Sequence, residues 1–267
     1  MATSDIIGPA RPGLRFELTP AGVGELTFDR PEQLNAIDWP LYQALGEALD
    51  RIANSKAVRV LVLEGAGRAF CAGGDISFMR QMYDGDIDKE DVARMGARVF
   101  RALTSLPQPS IAVVQGPAIG LGCTIALCCD LVFAGEKAVF ADPHVQMGLV
   151  PGDGGTVLWP LLIGPARAKE FLLTGDPIRA ADADRLGLVN HVYPSDEVRE
   201  RGLAFAARLA AGPARTLQAA KALINHQIRT LGEETIRGSL AMETVSQTSD
   251  YHRDAVKRFL DGDPVRF

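Results

Sequence analysis

Gly116-Pro117-Ala118-Ile119-Gly120-Leu121-Gly122-Cys123 follows the apolar run Ile111-Ala112-Val113-Val114 and opens a helix-like pattern through Ile125 and Leu127. An earlier turn, Cys71-Ala72-Gly73-Gly74-Asp75, stands in the same position after the strand-like run Val58-Arg59-Val60-Leu61-Val62-Leu63. Glycine lets backbone approach a ligand closely, and a helix start leaves N–H groups free to meet negative charge. Two such turns in one chain can aim two N–H donors at one developing oxyanion.

Outward from these turns, strand and helix patterns alternate. Residues 14–29 read as a β-hairpin around Pro20-Ala21-Gly22, and Leu41, Leu45, Leu49 and Ile52 give a helix over 40–54. A short helix through Phe78 and Met79 and a longer one near 89–105 follow. Leu131-Val132-Phe133-Ala134 and Ala138-Val139-Phe140 are strand-like again. Alternation to about residue 150 predicts an α/β core with parallel pairing. Beyond about 155, helical patterns predominate, over 166–173, 197–211, 214–228 and 233–247, with Gly212-Pro213 as a stop and restart. The stripe Leu217, Ala220, Leu223 and Ile224 requires a cover, either the chain's own core or a partner subunit. The segment 250–267 reads as a charged tail with Phe259, Leu260 and Phe267 interspersed.

The net charge of −5 over 267 residues gives no general attraction to nucleic acid or acidic membranes. An anionic ligand then needs a local basic cluster, for which Arg30, Arg68 and Arg80 are candidates. Cys71, Cys123, Cys128 and Cys129 have neither a disulfide framework nor paired zinc spacing, so no metal is expected and the thiols read as reduced and buried. The N-terminal segment Met-Ala-Thr-Ser-Asp-Ile-Ile-Gly-Pro lacks a basic leader, and no apolar run reaches the ~18 residues of a membrane helix, so a soluble, cytoplasmic protein is expected. A P-loop, a nucleophile elbow and a zinc-protease helix are all missing from the sequence, and Gly120-Leu121-Gly122 gives only part of a dinucleotide fingerprint.

Several segments, in order, resemble the crotonase superfamily, also called the enoyl-CoA hydratase/isomerase superfamily. Arg30-Pro31-Glu32-Gln33-Leu34-Asn35-Ala36 resembles its entry motif, and residues 65–76, ending Phe70-Cys71-Ala72-Gly73-Gly74-Asp75-Ile76, resemble its first turn. Residues 116–136, Gly148-Leu149-Val150-Pro151-Gly152-Asp153-Gly154-Gly155, Leu173-Thr174-Gly175 and Arg185-Leu186-Gly187-Leu188-Val189 continue the likeness over nearly the whole chain. The resemblance implies a spiral of ββα units over 1–195 and a C-terminal helical region, 196–267, used in trimer or hexamer formation. It also implies a CoA thioester substrate, with no cofactor besides that coenzyme A, and an enolate held by backbone N–H groups at Gly74 and Leu121. Matching positions imply substrate contacts at Arg30, Ala36, Arg68, Ala72, Asp75, Ile76, Gly122, Thr124 and Pro143, with the CoA phosphates meeting Arg30 and Arg68.

The family's hydratases use two glutamates, and the matching positions here hold Thr124 and His144. Threonine is no general base near neutral pH, although it can hold a water or a carbonyl. Histidine titrates near ~6.5 and suits acid/base work. Asp153 lies in a loop that carries a catalytic aspartate in some relatives, so a His144–Asp153 pair is a candidate. Asp75 reads most simply as a helix N-cap. His191, His226 and His252 show no partner spacing and read as surface or packing residues. The expected chemistry is enolate stabilisation on an acyl-CoA, hydratase- or isomerase-like. The alternatives are hydrolysis, decarboxylation, or thioester binding with little catalysis.

Overall fold

The computed structural model describes Ile6, residues 12–263 and Val265. The rest of the N-terminal segment read for a leader, and Phe267 of the tail, lie outside these residues. Among the described residues nine strands form two sheets. The larger has the order β1 (Leu14–Leu18), β2 (Val23–Phe28), β3 (Val60–Gly65), β4 (Ser110–Val114), β6 (Leu131–Gly135) and β9 (His191–Tyr193). Only the β1–β2 hairpin is antiparallel; every later pairing in this sheet is parallel. The smaller sheet pairs β5 (Pro117–Ile119) with β7 (Val139–Ala141), and β7 with β8 (Ile178–Arg179).

Side chains alternate across a strand, and both faces of the large sheet are covered. On one face Leu61, Leu63, Ala112, Val114 and Val132 join the main core with α1 (Trp39–Asn54) and α3 (Lys89–Thr104). On the other, Val60, Val62, Ile111, Val113 and Phe133 pack with Val198, Ala206 and Ala210 of α7 (Val198–Ala210). The strand at 58–63 was thus rightly read as buried on both sides, two residues early. The α1 helix starts where Asp38 accepts the Leu41 N–H at 2.9 Å, and it buries Leu41, Leu45, Leu49 and Ile52.

Two parallel bridges, Ile37 to Gly74 and Cys71 to Ala118, stitch the glycine turns side by side. Ile119 N–H donates to the Cys71 carbonyl at 2.9 Å, and Cys71 N–H to the Pro117 carbonyl at 3.1 Å. The first turn leads into α2 (Ile76–Asp84) and the second into α4 (Leu121–Cys128). The helical reading of 166–173 recovers only the second half of α5 (Gly155–Thr174), because Gly164 adopts φ 78°, ψ 154° and kinks the helix ahead of Pro165. Beyond 155 the chain also forms α6 (Ala180–Leu186), β8 and β9, short elements whose periodicity was too brief to register.

The stretch 214–228 is divided at Asn225 into α8 (Ala214–Ile224) and α9 (His226–Ser246). The charged tail folds as α10 (Asp250–Asp261), where Ser249 caps the start and His252, Ala255 and Val256 are buried. The stripe on α8 is not covered by the chain's own core: Leu223 is 79% and Ile224 74% exposed. Among the described residues no helix is long and apolar enough to cross a membrane.

Candidate active site

A cavity of about 800 Å³ opens between the two glycine turns, α2, the His144 segment and the C-terminal helices; Gly74, Phe78, Met79, Leu121, His144 and Glu243 are among its walls. Its backbone donors follow from the fold. Ile37 donates to the Gly73 carbonyl at 2.8 Å and accepts from Asp75 N–H at 2.9 Å, so the intervening Gly74 N–H points away from Ile37. Leu121 is the first residue of α4, and a first-turn N–H has no intrahelical acceptor. The residue before it, Gly120, bends the chain with φ 52°, ψ −122°, a conformation open to glycine. The unusual geometry therefore falls on Gly120, and Leu121 is not among the residues of positive φ.

The residues read from sequence as acid/base candidates meet beside that turn. Strand β7 ends at Ala141, which places Asp142, Pro143 and a 3-10 turn, His144–Met147, at the rim. His144 Nδ1 is hydrogen-bonded to Asp142 Oδ1, and its Nε2 faces Asp153 Oδ2 at 3.9 Å. The ring lies against Gly120, whose added Cβ would stand 3.9 Å from His144 Cε1. The Thr124 hydroxyl donates to Asp153 Oδ1 at 3.0 Å. Thr124 thus holds Asp153, where a direct hold on water or substrate had been a possibility; it is 3% exposed.

The glycines around Asp153 have a steric purpose. A methyl on Gly152 would come within 2.6 Å of Glu243 Oε2, and one on Gly155 within 2.1 Å of Asp142 Oδ2. The loop Pro151-Gly152-Asp153-Gly154-Gly155 therefore admits a carboxylate at two of its glycines and supplies a third itself.

Burial works against the His144 imidazolium, but the charges of Asp142 and Asp153 outweigh it and hold the ring well above its usual titration range. Burial raises the Asp153 carboxyl, opposed by the charge of His144 and by the Thr124 hydrogen bond. Burial also pushes the Glu243 carboxyl up to about 8. Asp142, His144 and Asp153 offer ligand atoms within 4.8 Å of one another. A proton held on the imidazole competes with any cation for those atoms.

Of the residues read from sequence, Gly74, Leu121, Ala72, Pro143, His144 and Asp153 line the one cavity. Asp75 caps α2 by accepting the Ser77 N–H at 2.8 Å. The Arg30 guanidinium binds Asp38 at 3.0 Å, Asp75 at 3.2 Å and the Ala36 carbonyl at 2.8 Å, so it braces the entry turn. Gly122 packs on Cys71, where an added Cβ would meet the Cys71 carbonyl at 2.4 Å. Ile76 and Arg68 are exposed at the surface. His252 fills a packing role, with Nδ1 2.7 Å from the Met147 carbonyl.

Two site residues escaped the sequence reading. Asp142 stands two positions before His144, in a segment with no motif of its own. Glu243 lies on α9, nearly a hundred residues later, with no local signal.

The model of the family described as enoyl-CoA hydratase/isomerase matches residues 19–267. The chain belongs to the enoyl-CoA hydratase/isomerase family. It is 34% identical over 206 residues to a crotonyl-CoA hydratase of Syntrophomonas wolfei, covering 77% of this chain and 78% of that protein. It is 34% identical over 243 residues to the 2,3-dehydroadipyl-CoA hydratase of Escherichia coli, covering 88% and 91%. A crystal structure of an enoyl-CoA hydratase/isomerase from Mycobacterium paratuberculosis superposes with a TM-score of 0.88 at 33% identity, over 92% of this chain and 98% of the other. The α/β fold with C-terminal helices is thus the crotonase fold.

Proposed function

We propose that this protein is an enzyme that adds water across the α,β-double bond of an enoyl-CoA thioester. The thioester oxygen takes the Gly74 and Leu121 N–H groups, each such donor contributing about 3–4 kcal/mol to the transition state. The observation that carries the proton-transfer half is His144, held between Asp142 and Asp153 against the Gly120 turn. Asp142 fixes the ring and stabilises its positive charge. The His144 charge opposes the rise that burial imposes on the Asp153 carboxyl; in its ionised form Asp153 Oδ2 accepts the proton of the attacking water while Nε2–H orients it.

The reaction proceeds as the water oxygen bonds to the β-carbon and the double-bond pair moves onto the thioester as an enolate. The hydratase glutamates, absent at positions 124 and 144, are thus replaced by groups from other parts of the fold. The hydratase names of the relatives support this reading. So do the apolar walls of the cavity, such as Phe78, Met79 and Leu240, which suit an acyl chain. The exposed Leu223 and Ile224 support a homotrimer or hexamer built on the C-terminal helices.

Purified protein mixed with crotonyl-CoA and longer 2-enoyl-CoA thioesters is the test. Hydration is followed by loss of the enoyl absorbance and by mass spectrometry of the 3-hydroxyacyl product. Turnover is expected, with His144→Ala lowering kcat about 10²–10⁴-fold. Release of free CoA would point to a hydrolase, and tight binding without product to a thioester-binding protein.

A further inference from the structure

Hydration leaves an enolate whose α-carbon needs a proton, while in the reading above Asp153 acts as the base and the His144 N–H orients the water. A further carboxyl, Glu243, lines the same cavity. It reaches the cavity from α9, and its Oε2 is buried with no hydrogen-bond partner among the described residues. It rests on Gly152, in the space the missing side chain leaves, next to the loop that carries Asp153. The ionisable groups facing it are His144, Asp153 and Asp142 across the cavity and Tyr42 from α1. A carboxyl in this setting carries its proton through neutral pH, and with one oxygen unpartnered it can deliver that proton to a substrate carbon.

Resting on the hydration reading, we propose that Glu243 donates the proton to the α-carbon of the thioester enolate while Asp153 takes the proton lost by water. The enolate pair forms the new C–H bond and Glu243 is left as the carboxylate. Asp153, now protonated, and Glu243, now ionised, return to their starting states by exchange with solvent. The reverse reaction uses the Glu243 carboxylate as the base that removes the α-proton.

The test separates the two proton transfers. Full-length wild type, Glu243→Gln and Asp153→Asn are assayed for crotonyl-CoA hydration and, in D₂O, for deuterium uptake at the α-carbon of the saturated thioester butyryl-CoA. Glu243→Gln is expected to lose about 10²–10⁴-fold in both. Asp153→Asn is expected to lose hydration to a similar degree and keep α-exchange within about 10-fold of wild type. Retention of α-exchange by Glu243→Gln overturns the assignment and leaves the hydration reading standing, whereas a wild type with neither activity overturns both.

Wild type alone gives an independent check should Glu243→Gln fail to fold. Hydration should fall as pH rises through about 8, where Glu243 loses its proton, and α-exchange of butyryl-CoA should rise over the same range. Parallel profiles for the two would refute the role of Glu243.

Discussion

At the scale of single residues, the site crowds carboxyls around one imidazole, and that crowding acts against stability. Glu243 titrates near 8 in the folded protein against 4.5 for an ordinary glutamate. A carboxyl raised on folding contributes stability that is fully present below its unfolded value and lost as pH rises through the folded one. Glu243→Gln removes that loss, because the amide mimics the protonated acid. The variant is expected to melt close to wild type near pH 4 and about 5 °C or more above it at pH 9, measured by circular dichroism across pH. Equal melting temperatures at pH 9 would mean that Glu243 ionises freely in the fold. The three acids differ in how much the sequence disclosed. Asp153 was visible from its glycine loop, Asp142 was adjacent and unremarked, and Glu243 was invisible, since nothing around Ser239–Glu243 marks a helix face that meets Gly152.

At the scale of elements, the first glycine turn holds its shape through Asp75, which both caps α2 and binds Arg30 at 3.2 Å. Arg30 in turn grips Asp38, the cap of α1. One guanidinium thus ties two helix starts to the first glycine turn. Asp75→Ala loses cap and ion pair together and is expected to cost about 1–2 kcal/mol in urea unfolding. Asp75→Asn keeps a capping oxygen and should recover roughly half. If both substitutions cost the same, the ion pair rather than the cap holds the turn. The helices α1 and α3 and the parallel strands were legible because each carries a long periodic apolar face. The first half of α5, and α10, were not, because a glycine kink interrupts one and charges dilute the other.

Across the whole molecule, the C-terminal helices are anchored to the sheet by a buried charge. Lys221 of α8 reaches Asp130 at 2.6 Å and the Gln108 carbonyl at 2.7 Å, and Asp130 also accepts the Ser110 N–H at 2.7 Å and the Asn225 amide at 3.2 Å. Lys221→Ala leaves Asp130 part-buried without its cation and is expected to destabilise by about 3–5 kcal/mol in urea titration, with KM for the thioester unchanged. A cost below about 1 kcal/mol would show that water replaces the lysine. The helix that follows, α9, packs against α3 and α5, which brings Glu243 over the loop of Asp153. By itself the sequence determined the family and the parallel α/β core, since these depend on glycine positions and apolar periodicity, which are local. Only the tertiary structure decided that Arg30 is a brace, that Thr124 holds Asp153, and that Glu243 completes the set of acids. Those roles depend on which side chains meet across long stretches of chain, and no local pattern encodes such meetings.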